Sequence, residues 1–243
     1  MATGPGLNLA IDEKRFAGAA AALFVDLRLA IEPSSVVALV GPSGIGKSTL
    51  LRMIAGIDTD FSGTISIDGV RAASAPTPGF VFQDPRLLPW LTAIDNIRAA
   101  DPQCTTAQAI EALERVGLKG ASLLYPHQLS GGMQRRVALA RALVVNARLL
   151  LLDEPFVSLD RSLVAEIHDL FRRIIVESRP TVLFVSHLTD DAARLADRAI
   201  LLDHLPATVV ADIALPVAPG ERDATVLAEY RQALDSHFVR PGA

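Results

Sequence analysis

The stretch that decides the fold is Gly41-Pro-Ser-Gly-Ile-Gly-Lys-Ser-Thr49. It follows Val36-Val-Ala-Leu-Val40, an apolar run typical of a buried strand, and it precedes Leu50-Leu-Arg-Met-Ile-Ala55, which is typical of a helix. Glycines in such a turn let backbone N–H groups point inward at the helix N-terminus, where anions bind. A glycine-rich turn can be purely structural, but the Lys-Ser pair at its end predicts a phosphate-binding loop.

The side chains of this loop predict how a nucleoside triphosphate is held. Lys47 can reach the β- and γ-phosphates, and the Ser48 hydroxyl can ligate Mg²⁺. We therefore expect contacts to the nucleotide from Gly41, Pro42, Ser43, Gly44, Ile45, Gly46, Lys47, Ser48 and Thr49.

A second strand ends in two carboxylates. Four leucines, 149–152, precede Asp153 and Glu154. An unbroken apolar run suits a parallel strand that is covered on both faces, and ligands bind at the carboxyl ends of such strands. We predict that Asp153 holds Mg²⁺ through water and that Glu154 polarises the attacking water.

Two further segments carry polar residues beside apolar runs. The strand-like run Val182-Leu-Phe-Val-Ser186 ends at His187. A lone histidine there is often structural, but its position after the Asp-Glu strand favours a place in the same site. Ser130-Gly-Gly132 precedes a helical run, so it can be an N-cap and turn, and a capped helix N-terminus is also an anion site.

With these motifs in this order, the chain resembles the ATP-binding cassette (ABC) ATPases over nearly its whole length. The resemblance implies a Walker A loop at 41–49, a signature loop at 129–133, Walker B at 149–153 and a D-loop at 158–160. It also implies a Q-loop residue that touches Mg²⁺ and water, Gln83, a catalytic carboxylate, Glu154, and a switch histidine, His187. The metal would then be held by Ser48, Gln83 and Asp153, and ATP and Mg²⁺ are the implied cofactors.

The resemblance further implies a head-to-tail homodimer with two nucleotides at its interface. In this family the signature serine and glycine contact the γ-phosphate of ATP held by the other protomer. The expected nucleotide contacts therefore extend to Ser130, Gly131, Gly132, Met133 and Asp160. Phe16 is the candidate for the ring that stacks on adenine; alternatively it is a buried aromatic at a strand end.

The segment after Gln83 indicates the class of transporter. Phe80 to Thr92 and Tyr125 to Met133 are similar to the ATPases of nitrate/sulfonate/taurine-type importers. In importers this region receives the permease, so Leu87, Leu88, Pro89 and Trp90 would supply an apolar docking surface; alternatively Trp90 is core. Leu188 departs from the family pattern, which has Asp after the switch histidine.

The implied function is ATP hydrolysis that powers uptake of a small solute. The implied partners are a membrane permease, a second ATPase subunit and a periplasmic or extracellular solute-binding protein, with the chain peripheral on the cytoplasmic face of the inner membrane. Two alternatives remain open. One is a soluble ABC ATPase that acts as a nucleotide-dependent switch on a macromolecule, and the other is an export ATPase.

Composition agrees with this interpretation. The 23 basic and 27 acidic residues give a net charge of −4, so no basic field argues for nucleic acid as a partner. No apolar run approaches the roughly 20 residues that span a bilayer. The run Ala17 to Val25 could pass for a signal core, but the expected fold needs this segment.

The predicted fold class is α/β: a P-loop NTPase (RecA-like) core with an antiparallel β-subdomain and an inserted helical lobe. We expect one ABC ATPase domain, 1–243, with the core at about 1–84 and 146–243 and the lobe at about 85–145. Within the lobe, Thr105-Thr-Ala-Gln108 has capping-box form, and Ile110, Leu113 and Val116 are predicted to share one helix face.

Overall fold

The computed structural model describes residues 4–145, 148–156 and 161–238. Within these residues, the main sheet has six strands in the order β10-β9-β3-β8-β7-β6. These strands are β3 (Val36–Val40), β6 (Gly79–Val81), β7 (Leu149–Asp153), β8 (Thr181–Ser186), β9 (Arg198–Asp203) and β10 (Thr208–Ala214). All neighbours in the sheet are parallel except β9 and β10. Every residue of β3, β7 and β8 is buried, because both faces of this sheet are covered.

A second, antiparallel sheet has the order β2-β1-β4-β5. Its strands are β1 (Leu7–Lys14), β2 (Phe24–Ile31), β4 (Ser62–Ile67) and β5 (Val70–Arg71). Apolar side chains alternate with exposed ones along β1, so one face of this sheet is buried. The predicted antiparallel β-subdomain is confirmed.

The helices are α1 (Lys47–Ile54), α2 (Ala93–Arg98), α3 (Thr106–Arg115), α4 (Gly131–Val144), α5 (Arg161–Ser178), α6 (Thr189–Leu195) and α7 (Ala224–Asp235). The segment predicted as an inserted lobe holds α2, α3 and α4, which pack on one another. Its apolar residues share one core cluster with a face of the main sheet. Its separation from the core as a lobe stays a prediction.

The apolar core lies on both faces of the main sheet. Val36, Ala38 and Val40 point into the cluster that also contains residues of α2 to α7. The alternate residues, Val37 and Leu39, point into the cluster formed with α1 and the antiparallel sheet. Because both faces of the sheet are covered, polar side chains can gather at the ends of its strands.

One face prediction for α3 is wrong. The capping box is present, since Thr105 accepts from Gln108 N–H and the Gln108 side chain accepts from Thr105 N–H. Ile110, however, is 40% exposed, and the buried positions are Ala109, Ala112 and Leu113, followed by Val116. The spacing i, i+3, i+4, i+7 fixes this face, and Ile110 lies about 100° around the helix from Ala109.

Candidate active site

Four motif-bearing segments end at one edge of the main sheet. The strands β3, β8, β7 and β6 are consecutive, parallel neighbours, so their carboxyl ends lie side by side. The loop at 41–49 follows β3, His187 follows β8, Glu154 follows β7, and Gln83 lies just beyond β6. This edge is where an open α/β sheet binds ligands.

The loop at 41–49 has the predicted strand–turn–helix form. Gly46 caps α1 with a φ of 102°, in the left-handed region that favours glycine. A Cβ on Gly46 would lie 2.8 Å from Cζ of Phe24, and one on Gly41 would lie 2.4 Å from the carbonyl oxygen of Leu202. The turn is therefore tightly packed against its neighbours, and it places the N-terminus of α1 near the carboxyl end of β3.

Lys47 is a buried cation at the start of α1. It is 4% exposed, and its ammonium donates to the carbonyl oxygens of Gly41 at 2.7 Å and Pro42 at 2.8 Å. Burial lowers the pKa of Lys47, and the charges of Glu154 and Asp153 oppose this shift. A cation held in a curled loop with little water around it is suited to bind phosphate oxygens.

Ser48 and Asp153 join the loop to the strand. The Ser48 hydroxyl donates to Oδ1 of Asp153 at 2.7 Å, and the carboxylate of Asp153 is buried at the end of β7. A hydroxyl and a carboxylate oxygen are ligands that Mg²⁺ prefers. Within the described ranges, no three His, Cys, Asp or Glu side chains form a metal cage of their own. The arrangement therefore fits a Mg²⁺ ion that takes its remaining ligands from phosphate and water.

Glu154 lies between the other two candidate catalytic side chains. The amide Nε2 of Gln83 donates to its Oε2 at 3.4 Å, and Nδ1 of His187 lies 3.5 Å from the same oxygen. Glu154 has a φ of 47°, in a region that non-glycine residues enter only at a cost, and its N–H donates to the carbonyl of Val185. A strained backbone held by the neighbouring strand aims this carboxylate between the amide and the imidazole.

A buried network behind His187 was missed by sequence reasoning. The Ser186 hydroxyl accepts from the Leu188 N–H and donates to the carboxylate of Asp191. Nε2 of His168, on α5, lies 3.4 Å from the other oxygen of that carboxylate. The available signal was a Ser before the histidine and an acidic pair in the first turn of α6, but His168 has no such signal in its surrounding sequence.

The signature segment lies at the N-terminus of α4. Ser130 is the N-cap, and its hydroxyl accepts from the N–H of Met133, so the N-cap interpretation is confirmed. Ser130 is exposed, and a Cβ on Gly131 would meet nothing within 4 Å. The helix start is thus open to an incoming group. The predicted D-loop with Asp160 lies outside the described residues.

Phe16 lies in the connection between β1 and β2. Its ring is 47% exposed, so the alternative of a buried strand-end aromatic is wrong. The buried ammonium of Lys14 lies 5.0 Å from the ring centroid and donates to Oδ1 of Asp58 at 2.8 Å. The far end of the same connection reaches the loop at Gly46 through Leu23 and Phe24. Phe16 is therefore available for stacking, which stays a prediction.

The segment after Gln83 presents Trp90 outward. Trp90 is 69% exposed, so the alternative that it is core is wrong. Buried Asn96 holds the turn: its Oδ1 accepts from the Leu88 N–H, and its Nδ2 lies within hydrogen-bond distance of the carbonyls of Leu88, Leu91 and Thr92. The turn is thus fixed by a polar side chain beneath it while a large aromatic faces out.

A groove of about 340 Å³ lies beside this turn. Phe82 and Leu88 line it, and the guanidinium of Arg86 lies 4.5 Å from the centroid of the Phe82 ring. Arg141 donates to the carbonyls of Pro85 and Arg86 and so fixes its wall. Over the part of the chain that the structure covers, no helix is long and apolar enough to cross a membrane.

Comparison with known families and proteins gives one consistent likeness. A family model described as ABC transporter matches residues 24–157. The chain is 42% identical, over 84% of its length and 83% of the relative's, to the aliphatic sulfonates import ATP-binding protein SsuB 1 of Xanthomonas axonopodis pv. citri (strain 306). It is 45% identical, over 80% of its length and 79% of the relative's, to SsuB 2 of Rhodococcus jostii (strain RHA1), which carries the same description.

Solved structures agree. The chain is similar to the dimeric structure of MJ0796, a bacterial ABC transporter cassette, with a TM-score of 0.76 and 29% identity over 86% of this chain and 98% of that one. A dimeric post-hydrolysis state of the same cassette, bound to ADP and Pi, gives a TM-score of 0.75 at the same identity and coverage.

Proposed function

The chain belongs to the ABC transporter family, and from that premise we propose that it hydrolyses ATP to power uptake of aliphatic sulfonates through a membrane permease. The family prediction and the predicted fold are confirmed. Import is supported by the relatives, which are named as import ATP-binding proteins. The same names favour import over export and over a soluble switch. The observation that carries hydrolysis is the convergence of Ser48, Asp153 and Glu154 at one strand edge.

The loop at 41–49 binds the phosphates of ATP. Lys47 exchanges its two carbonyl partners for phosphate oxygens, and the negative phosphates favour its charged form against the effect of burial. Backbone N–H groups at the start of α1 add dipoles of the right sign. Phe16 stacks on the adenine ring.

Ser48, Gln83 and, through water, Asp153 would hold the Mg²⁺ ion that accompanies ATP. When bound, this ion offsets negative charge on the β- and γ-phosphates. Asp153 is buried and already within hydrogen-bond distance of Ser48, so the two side chains need little reorganisation.

Glu154 orients water for in-line attack on the γ-phosphate and accepts its proton. Gln83 and His187 flank the carboxylate and fix its rotamer. As the water is activated, His187 is placed to donate to a γ-phosphate oxygen. Glu154 thus accepts the proton of the attacking water, and His187 donates a hydrogen bond that stabilises charge on the γ-phosphate.

A second copy of this chain completes the site. The exposed N-cap Ser130 and the open Gly131 after it would receive the γ-phosphate held by the loop of the partner. Both cassette structures described above are dimeric, which supports an ATPase partner. Asp160 stays a predicted contact to the nucleotide.

The outward face around Trp90 is the proposed permease contact. A fixed turn that carries an exposed aromatic beside an apolar groove has the form of an interface anchor. A permease partner is supported by the import relatives. We place the chain on the cytoplasmic face of the inner membrane, with a periplasmic or extracellular solute-binding protein in the full complex.

Growth on a single sulfur source tests this function. A strain that lacks the chain should fail to take up hexanesulfonate but should still take up sulfate. The wild-type chain should restore uptake, whereas Glu154→Gln should not. Restoration by Glu154→Gln would refute coupling to hydrolysis. Loss of uptake of a different solute, with hexanesulfonate unaffected, would refute the substrate class and leave the ATPase standing.

A further inference from the structure

The switch loop, residues 186–188, is held by buried hydrogen bonds rather than by the side chains of His187 and Leu188. The side chain of His187 is 39% exposed, so packing alone does not fix the imidazole. Leu188, which caps α6, is exposed and its side chain makes no capping hydrogen bond. The orientation of the His187 ring therefore depends on how the backbone on either side of it is fixed.

Ser186 fixes that backbone. It is fully buried, and its hydroxyl accepts from the Leu188 N–H at 2.9 Å and donates to Oδ2 of Asp191 at 2.6 Å. The hydroxyl of Ser186, the residue before His187, is thus bonded to the N–H of Leu188, the residue after it. Because the same hydroxyl needs an acceptor for its proton, the geometry of this turn depends on the Asp191 carboxylate.

Asp191 and His168 connect the switch loop to the turn after Glu154. A buried carboxylate requires partners, and Asp191 is 4% exposed. Nε2 of His168 lies 3.4 Å from its Oδ1. The ring of His168 meets the ring of Phe156 edge-on, with centroids 4.4 Å apart, and Phe156 lies two residues after Glu154. His168 therefore lies between Asp191 and the turn after Glu154, while Asp191 itself bonds to the hydroxyl of Ser186, just before His187.

We propose that Ser186 and Asp191 are positioning residues for His187, which act by holding its backbone. This inference rests on the proposed role of His187 in hydrolysis. It assigns to Ser186 and Asp191 the support that Leu188 cannot give through its side chain.

Steady-state and single-turnover hydrolysis by the purified full chain test the proposal. Ser186→Ala and Asp191→Asn should each lower kcat about tenfold or more, since small misplacement of a reacting group has effects of this size or larger. The KM for ATP should stay within about twofold, because neither residue belongs to the loop around Lys47. Ser186→Thr, which keeps the hydroxyl, should restore most of the lost kcat.

The matched control is Thr189→Ala, which removes a hydroxyl of α6 that donates to Asp235 instead; it should leave kcat unchanged. In a His187→Gln background, Ser186→Ala should add no further loss, because the two residues act as a unit. A wild-type kcat in folded Ser186→Ala, or an equal loss of kcat in the His187→Gln background, would overturn the inference. If His187→Gln itself hydrolyses ATP at the wild-type rate, the proposed role of His187 fails instead.

Melting temperatures separate positioning from folding. Both variants remove a buried hydrogen bond, so some destabilisation is expected. If kcat per folded molecule recovers once the unfolded fraction is subtracted, the residues are structural only and the proposal is wrong.

Discussion

The hydroxyl of Ser48 donates a hydrogen bond of 2.7 Å to Oδ1 of Asp153, across 105 residues of chain. Two motifs that are far apart in sequence thus present oxygen atoms to one point beside Lys47. Burial of both Lys47 and Asp153 strengthens the attraction between their charges, because solvent screens it little. Phosphate and its metal are expected to enter between them.

Replacing Asp153 by Asn tests the metal prediction. The change keeps the shape and removes the charge, so we expect MgATP affinity to fall about tenfold or more, since a bond to a charged group is worth about 1.5–3 kcal/mol. Calorimetry with Mg²⁺ and with EDTA should show that the gain from Mg²⁺ is lost in the variant. Asp203→Asn, at the carboxyl end of β9 in the same sheet, is the matched control. An undiminished gain from Mg²⁺ in Asp153→Asn would contradict the assignment.

The pKa of Lys47 predicts how ATP binding depends on pH. Burial lowers this pKa below the ordinary value of 10.5. Lys47 attracts phosphate only when protonated, so affinity should be complete below its pKa and should fall as the pH rises through it, earlier than for an ordinary lysine. Titration of ATP affinity from about pH 7 to about pH 10 should show this loss in the wild type. Lys47→Ala should bind ATP more weakly and lack the loss; identical profiles for the two would refute the role.

Glu154→Gln should separate binding from hydrolysis. Loss of the general base should slow hydrolysis by about 100-fold or more, while the loop around Lys47 still binds ATP. ATP-dependent dimers should therefore accumulate, which light scattering can detect. Glu229→Gln, an exposed carboxylate on α7, should behave as the wild type. Near-normal turnover in Glu154→Gln would show that Glu154 is not the general base.

Ser130→Asp should block dimer closure without loss of the helix cap. Asp is an effective N-cap, so the melting temperature should hold, but its charge would repel an incoming γ-phosphate. In the Glu154→Gln background, ATP-dependent dimers should disappear. Thr105→Asp, a like change at the N-cap of α3, should not affect them. Persistence of the dimers in Ser130→Asp would argue against a signature serine that acts on the ATP of the partner.

The fold and the catalytic edge were predictable from sequence because local patterns encode them. Unbroken apolar runs at 36–40, 149–152 and 182–185 indicate buried parallel strands. Residues directly after such strands must share an edge. Glu154 and His187 could therefore be placed together without coordinates, whereas the place of Gln83 was implied by the family resemblance.

The remainder depends on packing between elements, which sequence alone does not give. The contact of His168 with Asp191 exists because α5 packs on α6. The positive φ of Glu154 is set by a bond to the neighbouring strand. The exposure of Trp90 is set by the turn that the hydrogen bonds of Asn96 hold, and from sequence alone a tryptophan in an apolar segment can also be core.

Trp90→Ala should uncouple the chain from its permease without disabling the catalytic edge. Because the side chain is 69% exposed, its removal should change the melting temperature by less than about 2 °C, as surface substitutions stay within about 0.5 kcal/mol. Loss of an aromatic anchor at an interface often weakens association by about 2 kcal/mol or more, which is roughly thirtyfold. Nucleotide affinity should be retained.

Co-purification and hydrolysis in proteoliposomes should show this difference for Trp90→Ala: weaker retention by the permease and loss of hydrolysis stimulated by solute. Val176→Ala, an equally exposed apolar residue on α5, is the control and should retain both. Normal retention and stimulation in Trp90→Ala would place the permease contact elsewhere. A fall of several degrees in melting temperature would instead mean that Trp90 stabilises the turn held by Asn96, and docking would then have to be assigned to the groove beside Phe82 and Arg86.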